Sequence, residues 1–421
     1  MKIAIIGSGI SGLSCAYHLD KDNEIVVYEK NNYIGGHTDT HSVKIDNEIV
    51  NIDSGFIIFC RELYPNFCNM LDTLNVKSKP TNMSFGVHDQ VNNFIYNTTT
   101  LHSLFCQRKN LLKPKMYRMI LDIIRFYNSA EHILKSTDYE TSVGAYLKAH
   151  HYSKTFQEDH LLPMLGALWS TTPQFIRLFP IHYLVQFMHS HGLMNIWKRP
   201  QWEVLTDGSN GYVKALKRHL KNTEFRVNCG ATNVIRDNNS VLIHATSCEP
   251  ERYDAVIFAT HADQAKIILH QPSSAETEIL GSIPFERNDV VMHTDESIMP
   301  SIKPAWSSWN VHFEREGQEP QTQHYNLTYW MNSLQSLKIN KNVFVSLNEK
   351  RMINKNSILK TTTYHHPKYS AKSVNARKRL DEINGKNNTF YVGAYWAWGF
   401  HEDGARTAFD AVKLLKKQFN Q

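Results

Sequence analysis

Lys2-Ile-Ala-Ile-Ile-Gly7-Ser-Gly9-Ile10-Ser11-Gly12-Leu-Ser-Cys-Ala-Tyr-His-Leu19 decides the fold. Its first five residues are a short apolar, β-branched run, the pattern of a strand buried on both faces of a parallel sheet. Three glycines follow at the spacing G-x-G-x-x-G, and small and apolar residues then open a helix that runs to Leu19. Gly7 permits the tight strand-to-helix turn, Gly9 lets the backbone approach a pyrophosphate, and Gly12 lets the helix lie close to the strand. The helix start, with the N–H groups of Ile10 and Ser11, turns free donors and partial positive charge toward a phosphate. A second apolar run, Ile25-Val-Val-Tyr28, ends at Glu29-Lys30. A carboxylate at that strand tip accepts hydrogen bonds from a ribose diol and repels a 2′-phosphate, which disfavours NADP.

Working outward, 421 residues are too many for one small core and suit two interleaved domains. The net charge of +6 is mild, and no nucleic-acid-binding motif accompanies it, so nucleic acid is not an expected partner. Six cysteines form no C-x-x-C pair, which reads as free thiols in a reducing compartment. The 22 histidines show neither HExxH nor zinc-finger spacing, so no metal is expected. A strand starting at Lys2 is no secretory signal, and no apolar run approaches the ~18 residues needed to span a bilayer. The expected location is cytoplasmic.

The residues after Glu29 separate FAD from NAD. Gly35-Gly36-His37-Thr38 places a glycine pair just beyond the ribose position. Two short extended segments follow, around Thr40–Ile45 and Glu48–Ile52, and lead to Asp53-Ser-Gly55-Phe56. This order resembles the flavin-containing amine oxidase superfamily, which includes monoamine oxidases, phytoene-type desaturases and protoporphyrinogen oxidases. The resemblance implies an α/β fold: a Rossmann-like FAD-binding domain with an interleaved α+β substrate domain. It also implies that the Gly-Gly loop passes the pyrophosphate and that Gly55 and Phe56 pass the flavin ring. His37 stands where many members have Arg, which leaves open whether it meets phosphate or flavin.

Two distant segments agree. Tyr253–Thr260 reads as a buried strand ending at Ala259-Thr260, and Phe225–Val234 with Ser240–Ala245 as strands carrying an adenine contact near Ala231. Near the C-terminus, Gly393-Ala-Tyr-Trp-Ala-Trp398-Gly-Phe-His401-Glu402-Asp403-Gly-Ala405 precedes an amphipathic helix to about Gln418. It resembles the superfamily's C-terminal flavin motif, in which a second helix start faces the flavin and Asp403 caps the helix. The FAD-binding domain is expected over 1–75, 205–275 and 385–421, and the substrate domain over 76–204 and 276–384.

Further peptides, among them Tyr64-Pro-Asn66, Leu161-Leu-Pro, Trp169-Ser-Thr, Arg199-Pro-Gln-Trp202, Trp306-Ser-Ser-Trp309-Asn and Tyr329-Trp-Met-Asn332, are similar to a bacterial group of NAD/FAD-binding flavoproteins. Their genes neighbour cyclopropane-fatty-acid-synthase-like methyltransferases. That likeness implies oxidation or desaturation of lipid acyl chains, with such a methyltransferase in the same pathway. An oxygen-dependent amine oxidase and a non-catalytic flavin-binding accessory of a lipid-modifying enzyme are the competing readings. Phe56, Trp330, Trp398 and His401 are the candidate pocket residues, with His401 in a proton-transfer or orienting role. Arg108–Lys115, basic and interleaved with leucine, suggests peripheral contact with the inner membrane face.

Overall fold

Lys2–Ile6 is the middle of a five-stranded parallel sheet in this computed structural model, which describes residues 1–90, 92–169, 172–195, 199–237, 240–313, 325–349 and 351–420. The strands lie in the order Thr223–Arg226, Glu24–Tyr28, Lys2–Ile6, Ala255–Phe258 and Thr389–Tyr391. Ile3 and Ile5 face a layer containing Ala408, Val412 and Leu415, while Ala4 and Ile6 face one containing Val234, Ile243 and Ile279. Burial on both faces explains the unbroken apolar run. The chain passes from the first strand to Glu24–Tyr28 on one side and later returns on its other side at Ala255–Phe258. A crevice opens at such a reversal, outside the carboxyl ends of the strands.

The segment expected as one extended run, Phe225–Val234, divides. Asn228 takes a left-handed backbone (φ 53°), and Gly230 follows it. Thr223–Arg226 therefore joins the parallel sheet, and Ala231–Arg236 begins a three-stranded antiparallel sheet with Val241–Ala245 and Cys248–Tyr253. The fold of that sheet brings Cys229 to Cys248, and the two are joined as a disulfide. Only Cys15, Cys60, Cys68 and Cys106 are free, which corrects the expectation of six thiols. Residues 19 apart carry no local motif, so the pairing was invisible in the sequence.

A second sheet of seven strands runs Ile358–Pro367, Phe285–His293, Phe344–Leu347, Asn326–Trp330, Trp309–Phe313, Phe85–Asp89 and Phe94–Asn97. Helices between 101 and 190 pack beside it. The expected Met116–Leu134 helix breaks at Ser129 into Pro114–Asn128 and Ala130–Lys135. Ser170 and Thr171, part of one similar peptide, lie outside the described residues. Among those residues no helix is long and apolar enough to cross a membrane. Nor does any His, Cys, Asp and Glu group among them have the arrangement to hold a metal ion.

Candidate cofactor crevice and active site

The glycine loop is built by close contacts. A Cβ on Gly12 would lie 2.0 Å from the Gly7 carbonyl oxygen, and one on Gly7 2.7 Å from that of Ala259. Gly7 has φ +101°, a left-handed backbone that glycine tolerates. Gly9 differs: nothing lies within 4 Å of where its Cβ would be, so this face is open. The Ile10–Leu19 helix starts here without a side-chain cap. The Leu13 N–H bonds the Gly9 carbonyl (2.9 Å), so the donors of residues 10 to 12 lack intrahelical acceptors. An open glycine face before uncapped donors fits a pyrophosphate.

Glu29 is buried at the adjoining strand end. One oxygen accepts from the Ser8 N–H (3.1 Å) and hydroxyl (2.7 Å), and the other from the Asn31 N–H (2.8 Å). One acceptor position remains free for a ribose hydroxyl. Lys30 packs on Gly230, whose Cβ would lie 2.8 Å from that of Lys30, and the Cys229 N–H bonds the Glu29 carbonyl (2.9 Å). Ala231 is thereby held beside the ribose end. The Gly35-Gly36 loop folds back over the glycine loop, Gly35 N–H to Ser8 carbonyl at 3.1 Å. Gly36 is left-handed at φ +60°, and its Cβ would stand 3.0 Å from the Gly9 Cα.

The C-terminal motif meets this loop. Val392 N–H bonds the Phe258 carbonyl (2.9 Å), which places Gly393 at the sheet's edge. A Cβ on Gly404 would lie 2.7 Å from Ile10 and 2.8 Å from the Ser11 hydroxyl. Ala405 shares an apolar cluster with Ile10 and Leu13. The start of the His401–Gln418 helix therefore abuts the start of Ile10–Leu19, and two positive helix ends converge.

His401 Nε2 is shared between the hydroxyls of Thr38 (3.1 Å) and Tyr212 (3.3 Å), which also bond each other at 2.7 Å. Its ring stacks on Phe56, centroids 3.4 Å apart. Burial, aided by the nearby His37, holds the ring well below the usual imidazole range, so it is neutral at pH 7. That favours orientation over proton transfer. Asp403 accepts from the Trp398 (3.1 Å) and Phe400 (3.0 Å) N–H groups. From the third position of the helix it caps the start by taking the N–H of Phe400, the N-cap residue. Burial raises its carboxyl to about 6.

Two expected site residues are placed elsewhere. Glu402 spends both oxygens on the start of the Pro65–Thr73 helix, accepting from Asn66 Nδ2 (2.6 Å) and from the N–H groups of Asn66 (3.2 Å) and Phe67 (3.0 Å). Its carboxylate anchors that helix. Trp330 donates to Asn342 (2.9 Å) and packs with Trp306, Phe344 and Met299. That cluster contains none of Phe56, Trp398 and His401, because Trp330 ends the central strand of the second sheet, where it meets Phe344. Trp398 faces the helical insertion, 4.5 Å from Tyr183 and 5.4 Å from Phe187 by ring centroids.

Other residues complete the crevice. His261 follows Thr260 at the switch point and lies 6.0 Å from His37, itself 5.8 Å from His366. Burial lowers all three: His37 to about 4, His261 and His366 to about 3. His37 Nε2 is shut from water without a partner. Asp53 is fully buried and raised by burial to about 6. It takes the Ser209 N–H (2.9 Å) and hydroxyl (2.8 Å) and the Gln335 amide (3.1 Å). Tyr212, His366 and Gln335 carry no sequence motif. His261 had one available signal, its position directly after an Ala-Thr strand end.

The chain is similar in fold to a conjugated-linoleic-acid-producing fatty acid isomerase from P. acnes, at 14% identity and TM-score 0.69, covering 99% of this chain and 98% of that one. It is also similar to cyclohexylamine oxidase from Brevibacterium oxydans IH-35A (13%, TM-score 0.71, 100% and 99%). A putative protoporphyrinogen oxidase from Exiguobacterium sp. 255-15 is comparable (14%, TM-score 0.69, 99% and 99%). No curated protein matches the sequence. The profile described as flavin containing amine oxidoreductase matches residues 10–333. With that match over most of its length, the chain belongs to the flavin-containing amine oxidoreductase family and is an FAD-dependent oxidoreductase.

Proposed function

We propose that the protein oxidises or desaturates a lipid acyl chain. The observation that carries this reading is the wall beside the C-terminal motif. Phe400 lies 5.8 Å from Phe187 and 4.7 Å from His191 by ring centroids, and Trp398 packs on Tyr183 and Phe187. Burial holds His191 below the usual imidazole range, so it adds no charge at neutral pH. The two carboxylates closest in sequence are both engaged, Glu402 by Asn66 and Phe67 and Asp403 by the Trp398 and Phe400 N–H groups. Such a wall accepts methylene groups and carries no formal charge for an ammonium ion to pair with.

FAD, when bound, takes the hydride that leaves the substrate's C–H bond. In this reading Gly9, Ile10, Ser11 and Gly12 hold the pyrophosphate, and Glu29 holds the ribose. Lys30 and Ala231 flank the adenosine, while Gly35 and Gly36 close over the phosphates. Ala259, Thr260, Gly393 and Ala405 line the crevice floor. His37, Thr38, Gly55 and Phe56 border the ring, and His401 fixes Phe56 and Thr38. An acyl-modifying methyltransferase would act on the same lipids. Comparative lipidomics of cells with and without the gene tests the reading, with altered unsaturation or oxidation expected; unchanged acyl chains would sink it. The family's amine oxidases supply the second reading, which predicts hydrogen peroxide from an amine panel and no acyl change.

A further inference from the structure

Arg377 ends the Ala371–Arg377 helix and is only 7% exposed. Its guanidinium lies 4.1 Å from the centroid of Tyr369. Nη1 donates to the Tyr183 hydroxyl (3.2 Å) and to the Ala397 carbonyl (3.3 Å), one residue before Trp398. Nε and Nη2 are shut from water and have no partner. These two nitrogens form one edge of the guanidinium, the edge that meets both oxygens of a carboxylate in parallel. Among the described residues, no carboxylate lies within ion-pair distance of Arg377. The Tyr369 hydroxyl beside it is also buried and unpartnered, 2.7 Å from where a Gly399 Cβ would stand. Stacking and helix-end charge account for the face of the ring and for Nη1. They leave the free edge unexplained, and buried polar groups are seldom left unpaired.

We propose that this edge of Arg377, with the Tyr369 hydroxyl, is a carboxylate-recognition site, and that the substrate enters as a free carboxylic acid. The second clause rests on the acyl-chain reading; the first does not. The test uses the oxidised holoenzyme without turnover, titrated with benzoate, oleate and methyl oleate and followed by calorimetry and flavin absorbance. Oleate is expected to bind roughly a hundredfold more tightly than its ester, as for a bidentate charge-assisted pair. Arg377→Met should remove that preference, and Arg377→Lys, which keeps charge without the fork, should restore only part of it. Benzoate should bind the wild type and not Arg377→Met. Equal affinity for acid and ester, or benzoate binding insensitive to Arg377, would overturn the site. If benzoate depends on Arg377 while neither oleate nor its ester binds, the site stands and the acyl reading falls. Should Arg377→Met fail to fold, the acid-to-ester ratio and Arg377→Lys still decide.

A different surface carries a second inference. Tyr117, Leu121 and Ile124 recur at helical spacing on the Pro114–Asn128 helix, and all three are exposed. Its opposite face buries Met116, Met119 and Phe126. The preceding turn exposes Leu111 and, at 88%, Leu112, and it is tied to the stripe by the Tyr117 hydroxyl donating to the Leu111 carbonyl (2.8 Å). Arg108, Lys109, Lys113 and Lys115 flank it in sequence, the last two with their ammonium groups over the Phe94 ring, and among the described residues none of them is bridged by a carboxylate. Lys109 and Lys115 contribute to lowering Lys113, behind its partial burial. Leucines in water beside unbridged cations complement an anionic bilayer surface.

We infer that this face docks on anionic phospholipid, independently of what the enzyme oxidises. Holoenzyme should float with vesicles of phosphatidylglycerol and phosphatidylcholine in equal parts and not with phosphatidylcholine alone. Leu112→Glu with Leu121→Glu should abolish flotation, and replacing the four cations by Gln should weaken it roughly a hundredfold or more. Equal binding to neutral vesicles, or binding unchanged in either variant, would overturn the inference. So would absent flotation together with a leucine-dependent dimer in sedimentation, which would make the face a contact between copies.

Discussion

At the scale of single residues, the crevice depends on missing atoms and on shared protons. Gly12→Ala would place a methyl group 2.0 Å from a backbone oxygen that has no room to move. The variant is expected to purify without bound flavin, read as loss of visible absorbance; a yellow variant would show that the loop relaxes. His401 supports a subtler expectation. Its ring is neutral and its Nε2 serves two hydroxyls, so His401→Leu should lower stability by about 1–3 kcal/mol in denaturant unfolding. The pH dependence of residual turnover should keep its shape between about pH 6 and 8, since no proton leaves or joins this ring there. A vanished limb would restore a proton-transfer role to His401.

At the scale of elements, Glu402 joins two helices far apart in sequence. Glu402→Ala should cost about 1–2 kcal/mol by stripping the Pro65–Thr73 helix of its anionic cap, with a smaller loss for Glu402→Gln. Denaturation midpoints of the two variants check the order. The antiparallel sheet makes its own prediction: unreduced, denatured protein should titrate four thiols and reduced protein six.

Elements also mark what was legible in the sequence. The glycine loop, Glu29 and the Gly35-Gly36 turn could be read because each acts within its own stretch of chain, where spacing alone fixes geometry. The pairing of Thr223–Arg226 with Glu24–Tyr28 could not, because nothing in either strand identifies its neighbour. Glu402 looked like a cofactor ligand because it sits in the motif; its partners at 66 and 67 were invisible until the chain was folded. Trp330 looked like a pocket residue on its side-chain type alone, and packing assigned it elsewhere.

At the scale of the whole molecule, protonation links the crevice to global stability. Among the described residues ten histidines have lowered values, chiefly through burial: His18, His37, His88, His160, His191, His261, His293, His312, His366 and His401. Their stabilising effect is complete above the unfolded value near 6.5 and is lost as pH falls toward the folded values, because the unfolded chain then binds more protons. Asp53 and Asp403 act oppositely. Both are raised to about 6, so below that pH they favour the folded state, but they are two against ten. The urea midpoint should therefore drop between neutrality and about pH 5, well before ordinary carboxylates titrate. A flat profile across that window would mean that these rings are solvated.

The meeting of the two helix starts has one more consequence, for the order in which the molecule can come into being. Gly404 rests on Ile10 and Ser11, so one side of the nucleotide crevice is synthesised some 390 residues before the other. A nascent chain carrying only the glycine loop has the strand and the open glycine but lacks the wall that faces them. Cofactor capture is thus a late event in the life of each chain. Until then, Lys2–Ile6 waits for a partner strand some 250 residues away and Glu24–Tyr28 for one about 200 away, which makes this interval the one in which a chaperone or an excess of FAD would matter most.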